Sequence, residues 1–409
     1  MIKKLILLLL TAILLTGCLP SPITETKESK TEKNMITRSL VSTGNTYRIN
    51  KKIKEAKKGE KTVIAYFGSS IFSEDKNEAA KQSFELIKQF IGKKADLIFE
   101  NSGLYGSDSY LGNLFIKQIT DKKPDIIFLD FAIFDSSEPE CREAFEAMVR
   151  TCLESGNEPQ VIILLNTKSD GSPKQDFMEQ IAKYYNLPII NIASSFLPEF
   201  SSGRLTTDNI FSDNNSYTEK GVQEIAKFTE NYIKTAYKEK KDKEYIVPQP
   251  MLAGSLNMQN TKLLKADEIQ TDNFGSYLIS KTNNQYFPSK IEYMTDTENS
   301  PIIFTLDANS INLIAPVSSS RQDIAEIYIN GKIDSEINSF DSRETDFPKV
   351  FKIFSSDKNE KIAIGLKIKE KPIEEQNETT SEQQKDDPQE ENTSTYKNFE
   401  FWGISYTRK

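Results

Sequence analysis

The stretch Thr62-Val63-Ile64-Ala65-Tyr66-Phe67-Gly68-Ser69-Ser70-Ile71 decides the fold. Residues 62–67 form a β-rich apolar run without alternating polar positions, so a strand formed here is covered on both faces. Gly68, Ser69 and Ser70 break the run, and 76–91 follows with Ala80, Phe84, Ile87 and Ile91 on one helical face. The same unit recurs downstream. Short β-rich runs lie at 95–100, 125–131, 160–166 and 188–193. Helical patterns separate them: 138–155 carries Phe145, Met148, Val149, Cys152 and Leu153 in step, and 175–185 carries Met178, Ile181, Ala182 and Tyr185. A last helix opens at Ser216-Tyr217-Thr218-Glu219, which reads as a capping box, and turns Val222, Ile225, Ala226 and Ile233 inward. Strands alternating with helices predict a parallel sheet covered on both sides, a three-layer α/β domain over residues 60–240.

Beyond a charged stretch at 238–244 the helical period disappears. Pro248 and Pro250 fall in a connecting segment, 241–275, and candidate strands follow at 301–306, 310–315, 324–329, 350–354, 361–366 and 399–406. Asn330-Gly331 marks a hairpin, because both residues accept positive φ. Many short strands and turn residues predict a β-sandwich over 276–409. Within it, 371–395 is dense in Glu, Gln, Asn, Asp, Ser and Thr and reads as a disordered acidic loop. The single tryptophan, Trp402, reads as core of the final strand.

At the other end, Lys3 and Lys4 precede an apolar run from Leu5 to Leu15, too short to span a membrane and shaped like a secretory signal over 1–17. Leu15-Thr16-Gly17-Cys18 resembles a bacterial lipobox, which implies lipidation of Cys18 and attachment to the cell membrane or outer membrane. Residues 18–59, rich in Lys, Thr, Ser and Glu, read as the lipidated cysteine and a flexible tether. Cys141 and Cys152 lie on one predicted helix, separated by a rise of roughly 16 Å, beyond disulfide reach.

The chain contains no histidine. Imidazole is thereby excluded as base, acid or metal ligand. Cys and carboxylates show no metal-ligand spacing, and nothing calls for a cofactor. A net charge of −8 argues against nucleic acid as partner.

In an open α/β sheet, functional groups collect at the carboxyl ends of the strands. Those ends read 67–71, 101–106 and 132–135, with 208–216 before the last helix. In order and spacing these segments are similar to the SGNH/GDSL hydrolase family of flavodoxin-like esterases, over roughly 60–240, and the β-sandwich resembles modules C-terminal to the catalytic domain in some members. The resemblance places Ser70 at the nucleophile position, the Gly103 amide at the oxyanion position and Asp213 at the triad Asp position. Phe134 then stands where the family has the oxyanion Asn, and Ser216 where it has the triad His. A second register sets Asp208 with Phe211 but leaves Gly221 too far away.

A serine hydroxyl without a base is a poor nucleophile. Three functions therefore stand beside one another. The favoured one is a lipid-anchored envelope protein with a degenerate hydrolase domain that binds a ligand, such as envelope glycan or an acylated ligand, on Tyr105, Phe134 and Phe211. The others are an acyl or acetyl esterase using Ser70 with a base such as Lys76, Lys220 or Asp213, and a structural or adhesive surface lipoprotein. On the residues alone, Ser70 and Ser216 also serve as helix caps.

Overall fold

The computed structural model describes residues 27–73, 76–173, 176–239, 242–294, 298–369 and 399–409. The expected alternation is present: β2 (Lys61–Gly68), α3 (Glu78–Ile91), β3 (Asp96–Ser102), α4 (Ser109–Thr120), β4 (Ile126–Asp130), α5 (Pro139–Leu153), β5 (Gln160–Leu165), α6 (Asp176–Tyr184), β6 (Ile189–Asn191), α7 (Ile192–Ser201) and α8 (Glu219–Lys238). Strands β6-β5-β4-β2-β3 lie side by side and parallel. Every residue of β4 and β5 is buried, as continuous apolar strands require. One face packs Phe67, Leu129 and Ile163 against α4, α5 and α6; the other packs Ile64, Phe128 and Leu164 against α3 and α8. The chain is a three-layer α/β domain followed by antiparallel sheets.

The expected tether needs correction. From Lys27 the chain is folded: α1 (Lys27–Ser39), β1 (Leu40–Ser42) and α2 (Tyr47–Lys58) complete the domain. Met35, Ile49, Ile53 and Ala56 are buried, β1 pairs antiparallel with β6, and the Arg48 guanidinium donates to the carbonyls of Leu153 and Pro159. Ile49, Ile53 and Ala56 do repeat at helical spacing, but the lysines around them mask the stripe. Lys51, Lys54 and Lys58 are exposed, but Lys52 is buried and its ammonium donates to the Asp125 carboxylate at 2.7 Å, so polar residues enter the core beside the apolar stripe. Cys18 and the segment 1–17 lie outside the described residues, as does the predicted loop 371–395.

The segment 241–275 is also more than a connection. It contains α9 (Ser255–Gln259), β7 (Lys262–Lys265) and β8 (Thr271–Asn273), and β7 and β8 belong to the larger sheet of the second domain. That sheet runs β13-β12-β14-β11-β16-β7, with β8 on β11, from β11 (Ile302–Val317), β12 (Ile324–Ile329), β13 (Lys332–Asn338), β14 (Phe347–Ile368) and β16 (Gly403–Thr407). A smaller sheet, β15-β10-β9, comprises β9 (Tyr277–Lys281), β10 (Ser289–Tyr293) and β15 (Glu400–Phe401). Phe304, Ile311, Ile364, Ile291 and Phe401 fill the space between them. Two pairs of expected strands are single long ones, β11 and β14, which bulge together near Ala308 and Ser355 and so carry polar residues without breaking. Asn330 and Gly331, at φ 52° and 78°, form the expected hairpin turn.

The two domains share a core. Tyr286 and Phe287, from the β9–β10 loop, pack on Phe115 of α4, and Trp402 packs on Phe287 with ring centroids 5.3 Å apart. Trp402 is therefore core, as expected, but core of the interface between domains. Cys141 and Cys152 are free and buried.

Candidate functional site

At the tip of β2 the chain turns through Gly68 and Ser69 to Ser70, which is 2% exposed. The neighbouring turn, at the end of β3, passes directly above it. A Cβ on Gly103 would collide with the Gly68 carbonyl oxygen, and its φ of +119° suits glycine alone.

The Ser70 Oγ accepts hydrogen bonds from the Ile71 amide, at 2.6 Å, and from Nδ2 of Asn166, also at 2.6 Å. A hydroxyl has one proton and two lone pairs. Both pairs are thus engaged, and the Asp130 carboxyl, at the end of β4, lies close by with its Oδ2 accepting from the Phe72 amide at 3.3 Å. Burial pushes the fully enclosed Asp130 carboxyl up to about 6, against the opposing pull of the Phe72 amide, the Ser70 hydroxyl and Asn166. Asn166 is itself fixed. Its Oδ1 accepts from the Tyr217 hydroxyl at 2.5 Å and from the Thr167 amide at 2.8 Å. The Tyr217 phenol is shared with the Thr167 carbonyl at 2.8 Å, and burial, aided by the Asp130 charge, raises its pKa well above the ordinary value.

Asp130, Asn166 and Tyr217 are absent from the residues singled out in the sequence. Each carried a signal: a carboxylate inside an apolar strand, an amide at a strand's carboxyl end, and an aromatic within a capping box. The cap itself is Thr218, whose Oγ1 accepts from the Gly221 amide at 3.1 Å; Ser216 does not cap the helix.

The positions carried over for the triad do not assemble. Asp213 is exposed, and its carboxylate accepts from the Asn215 amide at 2.8 Å, within its own loop. Slight burial works against its charge, but the amides of Asn215 and Ser216 and the Ser216 hydroxyl hold its pKa below the ordinary value. Ser216 accepts from Lys76 Nζ at 3.3 Å, and the same ammonium sits 4.3 Å above the Tyr105 ring. Lys76 is exposed, and Lys220 lines a small cavity against Thr31 and Glu32 of α1. Phe211 is corrected from a binding residue to a core residue: it is 5% exposed and packs among Phe196, Phe200 and Tyr217. An apolar side chain in that loop has α7 and α8 to cover it.

The amide expected at an oxyanion position already has a partner. The Gly103 amide donates to the Tyr286 hydroxyl oxygen, 2.5 Å away and delivered by the second domain. Phe134 is half-buried, edge-on to Tyr105 with centroids 5.2 Å apart, and the Arg343 guanidinium lies 5.9 Å from its centre. Phe134 and Arg343 edge a cavity of about 400 Å³ between the domains, lined also by Asp108, Tyr110, Asn312 and Phe347. Beneath it, burial and the Asp108 charge push Asp135 up to about 8, while Ser109 donates to it through amide and hydroxyl. Asp135 is thus a neutral acid bracing the start of α4.

Fold and site together define a three-layer α/β domain whose strand-end serine is closed, joined to a β-sandwich. The chain is similar to the crystal structure of a two-domain esterase (CEX) active on acetylated mannans, at 19% identity and a TM-score of 0.77, covering 91% of this chain and 98% of that one. The structure of a two-domain esterase (CEX) active on acetylated mannans co-crystallised with mannopentaose gives a TM-score of 0.75 at the same identity and coverage. No protein-family model matches the chain, and no curated protein matches it in sequence. At this identity the likeness establishes the two-domain fold.

Proposed function

We propose that this protein is a lipid-anchored component of the bacterial envelope, attached through Cys18, whose esterase-like fold no longer hydrolyses and serves to bind glycan. The observation that carries the proposal is the condition of Ser70: enclosed, with both lone pairs engaged, in a chain without histidine. Loss of a triad histidine costs on the order of 10⁶ in turnover, and loss of one oxyanion donor roughly 10² to 10³. Here the Asn position is Phe134 and the Gly103 amide is taken by Tyr286. The likeness to an esterase active on acetylated mannans supports glycan as the ligand class, and the cavity lined by Phe134 and Arg343 offers it space.

The test is incubation of the mature chain with acetylated mannan. Retention on the polymer without acetate release, the same for Ser70→Ala, is the expected result. Acetate release that depends on Ser70 overturns the silent half of the proposal, and failure to bind mannan or other glycans overturns the binding half.

One observation favours a second reading. Asp130 is a buried carboxylate beside the Ser70 hydroxyl, with its pKa raised to about 6. As a substitute base it would be active only when ionised, so turnover would rise through pH 6 and vanish in Asp130→Asn. A carboxylate of that basicity is a weak acceptor for an alcohol proton, which is why this reading comes second.

A further inference from the structure

We propose that the carboxyl edge of the α/β sheet, on the side of β5 and β6, faces the lipid surface to which Cys18 ties the chain. This rests on the anchor at Cys18 and not on whether Ser70 is silent. Two observations carry it: the length of chain between anchor and fold, and the end of the domain at which the fold begins.

The first described helix opens at Lys27. Only residues 19–26 separate it from Cys18, and at 3.3–3.6 Å per residue a fully extended chain of that length spans no more than about 30 Å. The direction of α1 follows from its contacts with α8. Glu32 receives Lys227 Nζ at 2.6 Å, and further along the Ile36 carbonyl receives Asn231 Nδ2 at 3.4 Å, so the two helices run side by side in the same sense. Thr31 and Glu32 share a cavity wall with Lys220, in the first turn of α8. That helix starts two residues after Tyr217, whose hydroxyl reaches Asn166 at the end of β5. The start of α1 therefore stands level with the strand tips that deliver Ser70, Asp130 and Asn166.

The opposite edge, at residues 59–61 and 92–96, lies a strand's length away, about 26 Å for the eight residues of β2 at roughly 3.3 Å each. Turning that edge toward the bilayer would stretch the eight linking residues to their limit. The loops at the near edge are polar and do not insert: Arg204, Asp208 and Asp213 are exposed there, and no large exposed apolar side chain among the described residues falls in 202–220, so the orientation follows from the tether and not from attraction by these loops. A ligand reaching the strand tips is thereby one held close to the membrane.

The experiment uses the full lipidated chain in phosphatidylglycerol–phosphatidylethanolamine vesicles carrying a headgroup quencher. A fluorophore is placed on Asp208→Cys at the carboxyl edge or on Lys94→Cys at the amino edge; Cys141 and Cys152, both buried, stay unlabelled in the folded protein. Quenching at 208 several-fold above that at 94 is expected. Equal or reversed quenching in protein that floats with the vesicles overturns the orientation alone. Wild type that does not float, or floats no better than Cys18→Ser, overturns the anchor and the orientation with it. A long Gly-Ser insertion between 26 and 27 is expected to erase the difference; its persistence would overturn tether length as the cause.

Discussion

At the scale of single residues, the Ser70 hydroxyl is held by a chain of donors that begins outside the strand ends. Tyr217 orients Asn166, and Asn166 occupies Ser70. In Tyr217→Phe the Thr167 carbonyl and one side of the Asn166 amide oxygen lose their donor, which should lower stability by about 1–3 kcal/mol, read as a shifted urea midpoint at unchanged slope. The two raised carboxyls predict a pH dependence. A carboxyl whose native pKa exceeds its ordinary 3.8 holds its proton better when folded, so its contribution is full below 3.8 and is lost as pH rises to the native value. Stability should therefore fall from pH 4 to about 6 through Asp130 and on to about 8 through Asp135. Each tenfold gain in proton affinity on folding is worth about 1.4 kcal/mol of that fall. Asn is isosteric with the neutral acid, so Asp135→Asn should flatten the fall above pH 6; an unchanged profile would contradict the assignment. Ser70 was legible because its turn ends an unmistakable strand. Asp130 and Asn166 were not, because facing requires knowing which strands are neighbours, and β2 meets β4 and β4 meets β5 only in the folded sheet.

Elements outside the repeating strands and helices complete the domain and its site. The β9–β10 loop inserts Tyr286 against Gly103, and the residues 27–58 cover the β6 side of the sheet. Tyr286→Phe leaves a buried amide unpaired and should cost about 1–3 kcal/mol in thermal or denaturant unfolding without creating hydrolysis. Acetate release in that variant would show that the hydroxyl alone suppresses activity. Gly103→Ala sets a Cβ against the Gly68 carbonyl at positive φ and should exceed about 4 kcal/mol, read as loss of soluble folded protein. The alternating strands and helices were legible because an apolar run and a 3.6-residue stripe are local signals. The second early helix was hidden because its apolar stripe is narrow and its inner face also carries polar residues, Arg48, Asn50 and Lys52, whose partners lie elsewhere in the fold. Strands β11 and β14 were divided in two because their shared bulges look, in sequence, like polar interruptions.

For the whole molecule, the shared core predicts that the two domains unfold as one. Trp402, the only tryptophan, sits in that core beside Phe287. Its fluorescence should change in a single transition coincident with loss of helical circular dichroism; an earlier tryptophan transition would mean the domains separate first. The architecture was legible as two domains, but their fusion was not, since Tyr286 and Phe287 sit in a loop with no periodic signal. The central claim concerns whether this closed assembly still performs acyl transfer, and a fluorophosphonate probe addresses it most directly by attacking any activated serine. Intact-mass analysis of the mature chain after exposure should show no adduct, with Ser70→Ala indistinguishable from wild type. A stoichiometric adduct that maps to Ser70 would contradict the account.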